Sequence, residues 1–566
     1  MTDTALQQKI EQLELLNKIG KALSAEKNKN RLLEMILVEA KNLCSADGGT
    51  LYLRTDDDTL KFAIMRTDSL DIALGGTTKK EITLPPIRMY DEQTGEGNHK
   101  NVATEAALAC RSINIPDAYD ADGFDFSGTK KFDELNNYRS TSILAIPMVN
   151  TEGRVIGVLQ LLNAQDPSTK NVVAFDNRHQ EVVESLASQA AIALDNQMLL
   201  DDQKQLLQSF IEMIASAIDH KSPYTGGHCE RVPILTEMLA EKVCESTDPP
   251  FADFNLSEDE WYQLRIAAWM HDCGKVITPV HVMDKATKLE AITDRIQFVR
   301  ARFEVMHLNA ELKFLRAQND PAVNYTKADY DADTKALNED LAFLEHANIG
   351  GEFLSDEAKM RIVEIGKQTY CVDGEERALL TENEIYNLCI SRGTLTSEER
   401  IEINKHMVHT INMLNELPFP RNLEAVPEIA GGHHEKMDGG GYPKGIYAGD
   451  MSVPARIIAI ADVFEALTAQ DRPYKKGKTL SESMRIMGFM KQDNHLDPDL
   501  FNLFVKSGAY KEYGSRFLPE SLIDEVDEDK LLAIEPKPFE LPHKEEREKR
   551  WLTFLPEYLK APNPES

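Results

Sequence analysis

The chain has 566 residues, which is too long for one hydrophobic core and predicts two or three domains. Its 94 acidic residues outnumber its 63 basic residues, giving a formal net charge of −31. This balance disfavours binding to a nucleic-acid polymer, because such binding depends on many contacts between basic side chains and phosphates. The charge balance does not argue against binding of a small anionic ligand, because a bound metal ion can supply local positive charge.

The sequence contains no apolar run approaching the roughly 20 residues that a membrane-spanning helix needs. Residues 1–14 are polar and lack the apolar centre of a secretion signal. The seven cysteines are scattered without a CxxC pair, as expected for reduced thiols rather than a disulfide framework. Together these features predict a cytoplasmic protein without a membrane segment.

The N-terminal part of the chain predicts a helix, a mixed sheet and a second helix. Leu16, Ile19 and Leu23 recur at helical spacing. The apolar, β-rich runs 142–149 and 155–162 are joined by Asn-Thr-Glu-Gly, a combination typical of a β-hairpin.

A long connecting helix is predicted between residues 176 and 220, where neither proline nor glycine occurs. Two apolar stripes at helical spacing run along this helix. They are formed by Val183, Ala187, Ala190, Leu194 and Met198 and then by Leu207, Phe210, Ile211, Ile214 and Ile218. Because an apolar seam of this kind can pair with the same seam of a second copy, the helix predicts a homodimer.

Two segments within this part resemble GAF domains, which are small ligand-sensing modules. They are YRSTSILAIP at 138–147 and GRVIGVLQLLN at 153–163. The resemblance implies an α+β sensor domain with an antiparallel sheet and flanking helices, assigned to residues 1–200. Members that bind cyclic nucleotides carry an Asn-Lys pair at a strand end, where this chain has Asn163-Ala164. The GAF ligand is therefore left unidentified.

From about residue 208 the apolar pattern is helical almost throughout, which predicts an all-α domain over residues 201–510. Residues 290–393 are charged and contain helical stretches but no recognisable site motif, so they are predicted to be an insertion that could cap the site, modify substrate access or mediate dimer contacts. Residues 511–566 are rich in proline and charge, which predicts an irregular, partly packed tail.

Several histidines of the second half stand beside carboxylates or other histidines. His271-Asp272 follows an apolar helical stretch, and Lys275 comes four residues after His271, so on a continued helix the two would share a face. His433-His434 opens a segment with three successive glycines, which permit tight turns. Imidazole and carboxylate together are typical ligands of iron, manganese or zinc. An isolated His-Asp pair is most often a plain helix end, but the two segments together favour a hydrolytic metal site.

The two segments resemble the HD-GYP domain, a branch of the HD superfamily of metal phosphohydrolases. HDxGK at 271–275 and HHExxDGxGYP at 433–443 match its motifs. Shorter pieces follow in the family's order, namely PYTxxHxxRV at 223–232, LTxEE at 395–399, PARIIAIADVF at 454–464, RPY at 472–474 and HxDP at 495–498. The resemblance therefore extends over most of the predicted all-α domain, on both sides of the insertion.

This resemblance implies a phosphodiesterase that hydrolyses cyclic di-GMP at a two-metal site. The implied metal ligands are His228, His271, Asp272, His406, His433, His434 and Asp462. Asp272 would bridge the two metals and Lys275 would hold the substrate phosphate, so these two are the predicted catalytic residues. Further substrate contacts are implied for Gly441, Tyr442, Arg472 and Lys475.

Some family members hold a third metal with a glutamate one helical turn before the residue that matches His228. Tyr224 occupies that position here, so two divalent ions, iron or manganese, are expected. In the family the Gly-Tyr-Pro loop is also associated with contacts to diguanylate cyclase (GGDEF) proteins, which makes these proteins candidate partners.

Two alternatives stay open at this point. The enzyme could act on another cyclic dinucleotide, or the site could bind cyclic di-GMP or a partner without catalysis. The complete two-metal motif favours catalysis, and the sequence leaves the product, pGpG or GMP, undecided. We also expect the helix of residues 176–220 to couple the sensor to the site, because it leads directly to His228.

Overall fold

The structure is a computed structural model that describes residues 3–221, 227–320, 322–351, 353–372, 374–469 and 477–551. The chain divides into two compact units, Met1–Leu207 and Gln208–Ser566. The division falls within the long helix Asn177–Asp219. Among the described helices, none combines the length and the apolar composition needed to cross a bilayer.

The first unit is an antiparallel sheet with flanking helices. Its helices are α1 (Asp3–Ala25), α2 (Lys29–Cys44), α3 (Val102–Leu108), α4 (Ser127–Asn136) and α5 (Asn177–Asp219), the last of which continues into the second unit. Its strands are β1 (Ala46–Arg54), β2 (Thr59–Thr67), β3 (Ile72–Gly75), β4 (Ile87–Arg88), β5 (Ile113–Ile115), β6 (Ile143–Val149), β7 (Val155–Gln165) and β8 (Val172–Val173). The strand order is β3-β2-β1-β7-β6-β5, with β4 paired to β2 and β8 to β7.

The predicted hairpin is formed by β6 and β7, which pair antiparallel with Ile146 opposite Leu159. In the connection, the side-chain oxygen of Asn150 accepts the amide of Arg154 at 2.9 Å. Gly153 has a φ of +80°, a conformation that favours glycine. The prediction of an α+β sensor domain with an antiparallel sheet and flanking helices is confirmed.

One face of the sheet packs against α2 and α5. Leu51 of β1 and Leu159 of β7 are fully buried in one cluster with Ile36 of α2 and Leu194 of α5. The first predicted apolar stripe of α5 is therefore its sheet-facing side, and burial of this stripe stabilises the helix start.

Asn163, at the end of the predicted hairpin, has an internal structural role. It is 2% exposed and has a φ of +55°. Its side-chain oxygen accepts the amide of Thr141 at 2.7 Å, and its side-chain nitrogen donates to the Tyr138 hydroxyl at 2.8 Å. These bonds fasten the segment before β6 to the end of β7.

The second unit is mostly helical. Its helices are α6 (His228–Glu245), α7 (Glu258–Met270), α8 (Val280–Met283), α9 (Ile296–Asn319), α10 (Lys327–Ile349), α11 (Asp356–Gly366), α12 (Glu382–Leu388), α13 (Ser397–Glu416), α14 (Val426–Gly431), α15 (Val453–Thr468), α16 (Leu480–Gln492), α17 (Pro498–Lys506), α18 (Ala509–Phe517), α19 (Glu528–Leu532) and α20 (Lys544–Trp551). The prediction of a helical domain is confirmed, with one departure, a small hairpin formed by β9 (Thr369–Val372) and β10 (Glu375–Ala378) within the insertion. The aromatic and β-branched residues of β9 and a positive φ at Gly374 favour this hairpin.

The core of the second unit lies between α6, α7, α15 and α17. Leu239, Leu264, Phe464 and Phe504 come from these four helices and are fully buried in one cluster. The helices that carry the predicted site residues are thus held by a shared apolar core, which restricts how far the site residues can move apart.

The predicted insertion has a separate small core, in which α9, α10 and α11 contribute Phe303, Leu344 and Ile362. Its two ends meet through two buried lysines. Lys288 Nζ donates to the carbonyl oxygens of Leu388 (3.0 Å) and Ile390 (2.8 Å). Lys285 Nζ donates to both carboxylate oxygens of Glu399 at 2.8 Å, in the first turn of α13. The insertion therefore leaves and re-enters the helical unit at neighbouring points.

Over the described residues 511–551, the C-terminal segment contains more regular structure than the predicted irregular tail. It contains most of α18 and the short helices α19 and α20. Tyr513 (1% exposed) and Leu531 (5%) are buried in the core of the second unit. These apolar side chains, spaced between charged stretches, fasten the segment to the helices.

Candidate metal centre

The seven predicted ligands come from five parts of the second unit that are far apart in sequence. His228 begins α6, His271 and Asp272 follow α7, His406 lies in α13, His433 and His434 follow α14, and Asp462 lies in α15. The structure brings all seven together in a mostly buried cluster.

The cluster consists of two groups of potential ligand atoms that share one carboxylate. The groups are Asp272 with His406, His433 and His434, and Asp272 with His228, His271 and Asp462; within each group the atoms lie within 4.8 Å of one another. Asp272 Oδ1 is 3.3 Å from His406 Nε2. Asp272 Oδ2 is 3.4 Å from His228 Nε2 and 3.2 Å from His271 Nε2. One oxygen therefore faces each group, as in a bridging ligand.

Three of the histidines, His271, His406 and His433, are oriented by their own helices. Their Nδ1 atoms donate to carbonyl oxygens three residues earlier, those of Ala268 (2.7 Å), Ile403 (2.6 Å) and Ala430 (2.7 Å). Since Nδ1 carries the proton, the lone pair of each neutral ring is on Nε2.

These buried Nε2 atoms and Asp272 Oδ1 make no hydrogen bond of acceptable geometry to any described residue. Buried polar atoms are nearly always paired, so four such atoms around shared centres call for a missing partner. Metal ions fit this requirement, because they accept lone pairs from imidazole and carboxylate at once.

Electrostatics favour the same arrangement. Burial lowers the pKa of His433 to about 4, and burial with the neighbouring histidines lowers the pKa of His434 well below its ordinary value. Burial opposes charge on Asp272, but Lys275 and His271 outweigh it and hold the pKa of Asp272 well below its usual range. His433 and His434 thus offer neutral imidazoles and Asp272 an ionised carboxylate, which are the forms that bind metals. His228 differs, because burial is outweighed by its hydrogen bonds to Asp272, Asp462 and Glu465, which raise its pKa well above the ordinary value.

The short 3₁₀ turn Cys273–Val276 packs directly on α13. The Gly274 amide donates to Thr410 Oγ1 at 2.9 Å. A Cβ at Gly274 would lie 2.0 Å from the carbonyl oxygen of His406. Only glycine allows this approach, and the approach sets the separation between Asp272 and His406.

Lys275 departs from its expected placement. Helix α7 ends at Met270 and the following residues form the 3₁₀ turn, so Lys275 does not share a helical face with His271. Its ammonium instead lies 2.5 Å from Asp272 Oδ2, with the side chain 24% exposed. The Lys275 ammonium therefore contacts the cluster while part of its side chain stays exposed to solvent.

Glu465 is a site residue that the sequence analysis missed. Its side chain is 1% exposed and its carboxylate accepts hydrogen bonds from His228 Nδ1 and from Arg231 Nε, the latter at 2.7 Å. A carboxylate on the far nitrogen of a histidine fixes the ring and raises its basicity as a ligand. The available signal was its place one helical turn after Asp462, on the same face of α15.

The glycine-rich segment folds back onto the histidine pair. The Tyr442 ring stacks on His434 with centroids 4.8 Å apart. A Cβ at Gly441 would lie 2.4 Å from Glu435 Cα, so glycine is required there. The Glu435 carboxylate accepts the amide of Lys444 at 2.8 Å, which closes the loop. An aromatic ring is thereby held at one edge of the cluster.

Three residues of the sequence argument, Tyr224, Arg472 and Lys475, lie outside the described residues. Two metal ions rather than three, and the two additional phosphate contacts, therefore stay predictions.

Two family models match the chain. Residues 28–194 match the GAF domain and residues 382–500 match the HD domain. The chain therefore contains a GAF domain and an HD domain, which confirms the two resemblances at the level of these families. The HD match includes His406, whereas His271 and Asp272 precede it across the insertion.

Several curated relatives share part of the sequence. The chain is 40% identical over 115 residues to a 3'3'-cGAMP-specific phosphodiesterase 1 of Vibrio cholerae, covering 20% of this chain and 26% of that protein. It is 24% identical over 310 residues to 3'3'-cGAMP-specific phosphodiesterase 3 of the same organism (54% and 40%). It is 38% identical over 120 residues to a cyclic di-GMP phosphodiesterase of Pseudomonas aeruginosa (21% and 28%). The matches thus span 26 to 40% of these relatives' own lengths.

We expect Glu465→Gln to weaken metal binding about 10- to 100-fold, because His228 loses the carboxylate that orients it. Metal retained after dialysis against graded chelator, measured by plasma mass spectrometry, checks this. Glu384→Gln is the matched control, since Glu384 is also buried and bonded to an arginine, Arg302, but lies in the insertion. Equal retention in the two variants would contradict the orienting role.

We expect Gly274→Ala to destabilise the second unit by about 3 kcal/mol and to lower its metal content, because the new methyl group forces the turn away from His406. Calorimetry that resolves the two units and metal analysis provide the measurements. Gly351→Ala is the control, since a Cβ there meets no described atom within 4 Å. Unchanged stability and metal content in Gly274→Ala would show that the close packing is unimportant.

Proposed function

We propose that the chain is a metal-dependent phosphodiesterase that hydrolyses cyclic di-GMP to pGpG, GMP or both, under control of its GAF domain. The observation that carries this proposal is the pair of ligand groups that share Asp272 and direct lone pairs at common centres. The names of the relatives support a cyclic dinucleotide as the substrate.

We propose two divalent metal ions, iron or manganese, one for each ligand group. Both groups consist of imidazoles and carboxylates, a donor set that suits these ions. When bound, a pair of such ions supplies a nucleophile from water at neutral pH and neutralises charge on a phosphoryl group. Asp272, with one oxygen towards each group, is the residue that would hold the two ions together.

The chain's own residues have distinct roles in this proposal. Lys275 lies beside Asp272 and would contribute its ammonium to a non-bridging phosphate oxygen, where charge develops during hydrolysis. Tyr442, stacked on His434, and Gly441, which lets the loop close, would place the nucleoside part of the substrate. Arg472 and Lys475 would contact the remaining phosphate.

A second candidate substrate is 3'3'-cGAMP, which two of the relatives carry in their names. It shares the phosphodiester ring of cyclic di-GMP and differs in one base, so the metal groups would serve both equally. A site that binds a cyclic dinucleotide without hydrolysis is the third candidate, and product formation separates it from the other two.

We further propose a homodimer that pairs along α5. Ile192, Leu199, Leu206 and Met213 follow one another at seven-residue intervals and are 44%, 56%, 57% and 59% exposed, respectively. A repeat of seven is the signature of a coiled coil, whose partner is most simply a second copy of the same helix. GGDEF proteins, a GAF ligand and a cytoplasmic location stay predictions from the sequence.

We expect the purified protein to hydrolyse cyclic di-GMP and Asp272→Ala to lose both activity and bound metal, because both ligand groups lose their shared carboxylate. Chromatography of products from cyclic di-GMP and 3'3'-cGAMP, run in parallel, measures activity and preference. Asp331→Ala, at an exposed position of the insertion, is the control. Wild-type protein that holds metal but cleaves neither substrate would overturn the enzymatic proposal and support the receptor.

We expect the double change Leu199→Lys with Leu206→Lys to convert a dimer into a monomer, because two charges per chain would face each other in the seam. Sedimentation velocity over a range of concentrations is the measurement. Lys204→Glu, on the opposite side of α5, should leave the dimer intact. Persistence of the dimer in the double variant would place the interface elsewhere.

A further inference from the structure

The residues at the end of α5 contact two separate parts of the candidate metal centre. Lys221 follows the helix directly, and its ammonium donates to the carbonyl oxygens of Val276 (2.5 Å), Thr278 (2.7 Å) and Lys275 (3.1 Å). One ammonium group thus donates hydrogen bonds to three carbonyl oxygens at the end of the 3₁₀ turn that carries Lys275.

This contact is physically specific. The last carbonyls of a helical turn have no partner within the turn and carry its negative dipole end, so a cation is favoured there. An ammonium has three protons, and each of them here has a carbonyl within reach. Lys221 therefore holds the far end of the turn, while Gly274 holds its middle against α13.

Asp219, in the last turn of α5, holds a second part of the centre. It is 4% exposed, and its Oδ2 accepts the amide of Cys229 at 3.0 Å. Cys229 is the second residue of α6, immediately after His228. Gly227 precedes the helix and has no side chain to cap it, so Asp219 supplies the capping carboxylate from another element.

The two contacts meet at one place. Asp219 lines the same narrow crevice as His228, Asp272 and Lys275. The end of α5 is therefore adjacent to the first predicted ligand and to the predicted phosphate-binding lysine. The distances between these groups depend on where that helix end lies.

We propose that Lys221 and Asp219 are positioning residues of the hydrolytic site. Lys221 fixes the position of the turn that presents Lys275 to the substrate phosphate. Asp219 fixes the position of the first turn of α6 and hence of His228. This inference rests on the proposed function for its kinetic consequences, but its structural consequences can be measured without turnover.

The two residues have separable effects. Loss of the Lys221 ammonium frees a turn that holds a substrate contact, so substrate turnover falls while metal stays bound. Loss of the Asp219 carboxylate frays the first turn of α6, so the metal group that contains His228 is weakened. A merely structural role for both would lower stability and change neither quantity selectively.

The test for Lys221 compares Lys221→Met, Lys221→Arg and the control Lys242→Met, a lysine of α6 that contacts Glu245 instead. We expect Lys221→Met to lose hydrogen-exchange protection in a peptide covering residues 273–278, to keep its metal, and to lower kcat/KM for cyclic di-GMP about 10- to 100-fold. Lys221→Arg, which can still donate to carbonyls, should restore most of both.

Unchanged exchange in residues 273–278 of Lys221→Met would overturn the positioning role. The exchange and metal readouts need no turnover, so they decide the inference even if the wild-type protein proves inactive on cyclic dinucleotides. In that case the proposed function fails and the positioning role is judged separately.

The test for Asp219 compares Asp219→Ala with Asp219→Asn, which keeps an acceptor for the Cys229 amide. We expect Asp219→Ala to retain about one metal fewer per chain at a chelator concentration that leaves Asp219→Asn fully loaded. Increased exchange at the start of α6 should accompany that loss. Equal metal content and equal exchange in the two variants would overturn the role of Asp219.

Discussion

The arrangement of the second unit depends on one buried carboxylate. Asp272 directs its two oxygens to different groups of imidazoles, so α6, α7, α13 and the segment after α14 must all approach a single residue. An ionised carboxylate in the interior is costly unless cations or dipoles surround it. Lys275 supplies one such cation, and metal ions held by the two ligand groups would supply the others.

Around this carboxylate, the ligand side chains are positioned mainly by hydrogen bonds that involve backbone carbonyl and amide groups. Three imidazoles are turned by carbonyls of their own helices, and the turn after Asp272 is held by Thr410 on one side and by Lys221 on the other. Glu465 is an exception, because it reaches His228 across 237 positions of sequence. A shift of one helix end would therefore also displace the ligand atoms that are hydrogen-bonded to it.

The sequence allowed the contiguous features to be predicted, because their information is local. The β6–β7 hairpin has its turn residues in place, and His271-Asp272 and His433-His434 are adjacent pairs. Features that depend on distant partners could not be predicted. Lys221 finds its carbonyls 54 to 57 positions later, and nothing in its neighbourhood indicates them. The end of α7 was also missed, although Gly274, four positions after Met270, is a residue that disfavours continuation of a helix, and this placed Lys275 on the wrong face.

The two lysines at the root of the insertion have a consequence for how this protein can vary. Because Lys285, which precedes the inserted segment, bonds to Glu399, which follows it, the two ends of the segment are already closed by contacts that belong to the root itself. Closing a loop becomes only slowly more costly with length, about 2 kcal/mol for a tenfold longer loop. The root is thus a natural exchange point, at which evolution or a protein engineer can replace one module by another of different size while the helices that carry the candidate metal ligands keep their spacing.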